Sequence, residues 1–97
     1  MNLIEKTKEI SSISSTIQGI LCDKGFKGDF NVYVDSNFFK DSYEVGEDPV
    51  DIYVVYYLEK PSDEVVDIFD SMYTYYSIRV IDRVKFNNNY KENCTLV

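Results

Sequence analysis

Carboxylates and tyrosines are the side chains from which this chain must build a function. Between Asp29 and Asp70 stand twelve Asp and Glu residues against two lysines, a local charge of −10 within an overall charge of −7. The flanks are mildly basic, +1 over residues 1–28 and +2 over residues 71–97, so the charge is a patch and not a uniform background. Such a surface repels nucleic acid and anionic lipid and attracts basic protein clefts. Histidine, the commonest general base and zinc ligand, is absent. Cys22 and Cys94 have neither a base beside them nor metal-binding spacing, and are expected to be structural thiols of a reduced, cytoplasmic protein. Residues 25–28 (Gly-Phe-Lys-Gly) are too short for a phosphate loop. The stretch from Asp35 begins like a calcium loop with Asn37, but Phe39, Lys40 and Gly46 occupy positions that need a ligand, a glycine and a glutamate. No two carboxylates are singled out as a hydrolase pair. The expectation is no catalysis, no cofactor and no metal.

What the carboxylates suit is binding. Asp63, Glu64 and Asp67 fall where a helix N-terminus favours negative charge, but Asp70 lies beyond the first turn and gains little from it. On one helix side, like charges cost a few tenths of a kcal/mol. Asp63, Asp67 and Asp70 would be spaced about 4.5–6 Å along the axis, close to a row of phosphates. Asp41, Glu44, Glu47, Asp48 and Asp51 crowd a second stretch, with Tyr43, Tyr53 and Tyr57 interleaved as aromatic anchors. Rigid tyrosines ringed by carboxylates match the anatomy of an interface with an arginine-rich partner. These twelve residues are the candidate partner-binding set.

The elements that must carry them follow from periodicity. Leu3, Ile10 and Ile17 recur every seven residues, with Ile13, Ile20 and Leu21 beside them, predicting an amphipathic helix over 3–24. Asn2 and Glu5 have capping-box spacing, and Lys24-Gly25 is a stop. The apolar arc is expected to pack on its own sheet, a dimer seam through Leu3, Ile10 and Ile17 being the alternative. Strands are predicted over 29–35 and 50–58, the second with Val50, Ile52, Val54, Tyr56 and Leu58 inward and Asp51, Tyr53, Val55 and Tyr57 outward. Ser62 caps a second helix over 62–76. A third strand over 77–86, an asparagine turn at 87–89 and an edge strand over 90–96 complete the chain. The expected fold is α+β, one domain of order α-β-β-α-β-β, with two helices on one face of an antiparallel-rich four-stranded sheet. Arg79, Arg83 and Lys85 on one strand do not offset the overall charge, so direct nucleic-acid binding is not expected. Charges interrupt the first turns and no apolar run approaches about 18 residues, so neither a secretory leader nor a membrane span is expected.

In composition and in the 29–70 patch, the chain resembles the small acidic inhibitors that phages carry against restriction and CRISPR nucleases. Many of these occupy a DNA-binding cleft with Asp, Glu and Tyr side chains. It is similar by the same criteria to acidic immunity proteins that plug nuclease toxins. The resemblance implies a non-enzymatic, monomeric or weakly dimeric DNA mimic. Its partner would be a basic nuclease or defence effector in the host cytoplasm. A regulatory module dimerising through its N-terminal helix is the remaining alternative.

Overall fold

The computed structural model describes residues 1–43 and 48–97. Helix α1 spans Leu3–Asp23. Asn2 accepts from the Glu5 amide at 2.9 Å, and Glu5 accepts from the Asn2 amide in return, completing the capping box. At the other end Phe26 N donates to Leu21 O and Gly25 N to Cys22 O, at 2.9 and 3.1 Å. This is a Schellman closure that requires the positive φ of Gly25, +78°. Ile10, Ile13, Ile17 and Leu21 are buried against the sheet. The seven-residue repeat is thus used inside the molecule: Ile10 and Ile17 are not available to a second copy, and of the three seam residues only Leu3 is exposed.

The sheet has the order β3-β2-β1-β4. β1 is Phe30–Asp35, β2 Val50–Tyr56, β3 Tyr76–Asp82 and β4 Cys94–Leu96. β1 pairs antiparallel with both β2 and β4, whereas β2 and β3 are parallel because α2, Asp63–Met72, crosses between them. Ser62 caps α2, its hydroxyl accepting from the Val65 amide. The α+β class and the two helices on one face are as expected from the sequence: α1 and α2 enclose one core with Val32, Val34, Ile52, Val54 and Ile78.

The C-terminal third departs from expectation. Instead of a strand to residue 86 and a turn at 87–89, β3 ends at Asp82 and α3 runs from Arg83 to Asn89. Two causes act together. The pairing partner runs out, since Asp82 lies opposite Tyr56, the last residue of β2. Asp82 then caps a helix, its Oδ1 accepting from the Lys85 amide at 2.8 Å. The observed order is therefore α-β-β-α-β-α-β. α3 covers the second face of the sheet, where Phe86 packs among Tyr53, Val55 and Ile81. Val84, expected inward, is exposed, and Ile81, expected outward, is buried.

Candidate functional site

The expected binding residues divide between opposite sides of the sheet. Asp35 ends β1 and Asp51 is the second residue of β2, both on the α3 face because their neighbours Val34 and Ile52 face the main core. Asp51 is used internally: Arg79 Nε donates to it at 3.0 Å and the Tyr53 hydroxyl at 3.3 Å. At the same end of the sheet a cleft of about 340 Å³ is lined by Asp35, Lys40, Tyr43 and Asp48, among others. Asp41 and Asp48 are exposed there. Tyr43 is half-buried, packs edge-on to Phe38, and donates to the Asp48 carbonyl at 3.1 Å. Burial, then the charges of Asp35, Asp48 and Asp51, hold its hydroxyl proton above the ordinary tyrosine value. Glu44 and Glu47 lie outside the described residues.

This loop is tied to α1 by a buried cation. Lys6 is only 3 % exposed. Its Nζ donates to the Lys40 carbonyl at 3.0 Å and stands 5.5 and 5.9 Å from the ring centres of Phe38 and Tyr43. One carbonyl and two aromatic faces thus replace water around the ammonium.

The second group of carboxylates belongs to α2. Val65 and Phe69 face the core, so Asp63, Asp67 and Asp70 project from the back of the helix, all exposed. Glu64 stands on the flank and is paired with Lys24 at 2.8 Å. Because α2 returns from the end of β2 to the start of β3, Asp70 approaches the end of the sheet where Val50 begins. Asp70, at the C-terminal end of the ridge, and the exposed loop residues Asp41 and Asp48 therefore lie towards the same end of the sheet. Asp51 faces away from the ridge.

Tyr53 and Tyr57 are not the exposed anchors expected from the sequence. Tyr53 does point away from the main core, but α3 covers it and leaves it 5 % exposed, its ring 4.9 Å from that of Tyr90 and 5.9 Å from that of Phe86. Tyr57 is half-buried, with the Arg83 guanidinium 5.5 Å from its ring centre and its hydroxyl bonded to Asn31. Neither is a free anchor. Among the described residues there are two ion pairs, those of Glu64 and Asp51, so eight of the ten described carboxylates between Asp29 and Asp70 have no cationic partner. No cluster of three or more His, Cys, Asp or Glu side chains suited to a metal ion occurs among the described residues.

No family model, curated protein or solved structure matches the chain. Residues not singled out from the sequence are Lys6, Glu9, Tyr73 and Tyr75, together with the hydroxyl of Tyr76. Lys6 had a signal, since it falls four residues before Ile10 on the buried arc of α1.

Proposed function

We propose that this chain is a non-enzymatic acidic inhibitor that occupies the basic nucleic-acid-binding cleft of a nuclease or defence effector, in the manner of anti-CRISPR and anti-restriction proteins. The observation that carries this reading is the row Asp63, Asp67 and Asp70: three exposed carboxylates on one helix back, none of them ion-paired within the described residues. A row used only for helix stability would end within the first turn, where the backbone dipole rewards it. The exposed carboxylates of Asp41 and Asp48, towards the Asp70 end of the sheet, would add to this anionic surface. The contacting set is accordingly narrower than the twelve residues first considered, with Asp51, Tyr53 and Tyr57 left to internal packing. Carboxylates that become desolvated against arginine would govern dissociation, and those at the rim would set association rate and salt sensitivity.

The test is affinity capture from host lysate followed by competition. The captured protein is expected to bind nucleic acid, and to be released by duplex DNA or RNA and by added salt. Asp67→Lys combined with Asp70→Lys is expected to weaken capture by tenfold or more, about 1.4 kcal/mol, without altering the fold. If that variant and Asp41→Lys with Asp48→Lys both capture as the natural chain does, the surface is a solubilising coat and the reading is wrong.

A further inference from the structure

Beside the ridge, in the same helical layer, a cleft of about 510 Å³ opens between α1 and the segment joining α2 to β3. Glu9 and Ser12 line it from α1, and Met72, Tyr73, Tyr75 and Tyr76 from the other side. The Tyr73 and Tyr76 rings meet at 83° with centres 5.9 Å apart, so they form two aromatic walls at a right angle. Tyr75 adds a third ring and is exposed. Tyr76 is only 6 % exposed, yet its buried hydroxyl has no hydrogen-bond partner. That is an expensive way to place an oxygen unless something arrives to use it. Glu9 is the carboxylate that acts on this hydroxyl, and as an acceptor it leaves the oxygen's lone pairs unused. Burial first, and Glu9 second, hold the Tyr76 proton above the ordinary tyrosine value. Glu9 itself has no ion-pair partner among the described residues, because Lys6, one turn earlier, is turned to the Lys40 carbonyl.

We infer that this cleft is a socket for one arginine side chain of the basic partner, with the guanidinium against the tyrosine walls and its N–H groups donating to Glu9 and to the Tyr76 hydroxyl. The assignment rests on the proposed function for the identity of the partner. Its chemistry rests on the cleft. A guanidinium is planar, permanently charged and weakly hydrated, and it carries five donors in a fixed fork, so it can stack on a ring while its edge serves two acceptors. A lysine ammonium offers no plane to stack, and a neutral side chain leaves the Glu9 charge unanswered. The cleft lies directly after Asp70 in the chain, so an arginine seated there has the acidic ridge beside it for further basic groups.

The test needs no partner. The intact chain, followed by amide NMR, is titrated with N-acetyl-arginine amide and, in parallel, with N-acetyl-citrulline amide, which keeps the shape and lacks the charge. The expected result is saturable shifts of Glu9 and of Tyr73 through Tyr76 at millimolar arginine probe, about −4 kcal/mol, with citrulline at least about tenfold weaker. Glu9→Gln is expected to weaken the arginine probe by about fivefold or more, and Tyr76→Phe by a smaller factor while leaving the fold intact. Absence of shifts at these residues, equal response to the two probes, or unchanged binding by Glu9→Gln would overturn the socket. The two proposals fail separately. Saturable arginine binding without capture of a basic partner removes the inhibitor reading alone, and capture that survives with no arginine response removes the socket alone.

Discussion

Replacing Phe86 by alanine tests the role of α3 as the cover of the second sheet face. Phe86 is 1 % exposed, and its ring lies 4.4 Å from that of Tyr33 and 5.9 Å from that of Tyr53. Truncating a buried phenylalanine costs about 3–5 kcal/mol. A domain of this size has about 5–15 kcal/mol in total, so the variant is expected to lose a large fraction of its stability. The loss should also be local. A seven-residue helix cannot persist in water without its packing, so amides of residues 83–93 should lose protection from hydrogen exchange before those of β1 and β2. Urea unfolding gives the global value, and native-state exchange gives the local one. Val84→Ala is the control, since that side chain is exposed on the same helix and should change stability by no more than about 0.5 kcal/mol. Coincident unfolding midpoints for the two variants would show that α3 is an ornament on a fold that does not need it.

Two glycines should respond in opposite directions in thermal or urea unfolding. Gly25→Ala forces a Cβ into the left-handed region at the end of α1 and should destabilise by about 1–2 kcal/mol. Gly19→Ala, on the exposed side of α1 with nothing near its added Cβ, should stabilise by up to about 1 kcal/mol. Burial, then the charges of Asp35 and Asp51, raises the Cys94 thiol from 9.0 to about 11. The folded chain therefore keeps a proton that the unfolded chain releases, so this contribution is complete below about pH 9 and is lost as pH rises towards 11. Alkaline unfolding curves should show that loss, and Cys94→Ser should reduce it. By the same cause a disulfide reagent at pH 8 should label the exposed Cys22 first and Cys94 more slowly, as β4 opens, a pattern that peptide mass mapping reads directly.

Helix α1, both its caps, the first strand, the second as far as Tyr56 and the Ser62 cap were legible because each depends on local chemistry: a capping box, a glycine in the left-handed region, strict alternation of apolar residues. Leu58, expected inward, lies exposed beyond the end of β2. What escaped was the second face of the sheet. Alternation through Ile78, Val80, Val84 and Phe86 imitates a strand, and nothing in that pattern reveals that β2 has ended opposite Asp82. Two signals pointed the other way. Phe86 and Tyr90 stand four apart, as on a helix face, and Tyr53-Val54-Val55-Tyr56 is a continuous apolar run of the kind found in strands covered on both sides. The charge patch was plain in the composition, but its division was not. Whether Asp51 and Asp67 share a surface depends on the hand and layer of the β2-α2-β3 crossover, a property of tertiary assembly that residue spacing does not encode.

The sheet closes on one side with a strand of three residues. β4 meets β1 through three register pairs, Tyr33 with Leu96, Val34 with Thr95 and Asp35 with Cys94, and the Ser36–Thr95 hydroxyl contact spans 59 positions along the chain. So distant a closure gains little until the rest of the domain has assembled. β4 is accordingly expected to be the last element to dock during folding and the first to leave during partial opening. Each departure bares the outer hydrogen-bonding groups of β1, which gives any neighbouring extended peptide a brief opportunity to take its place.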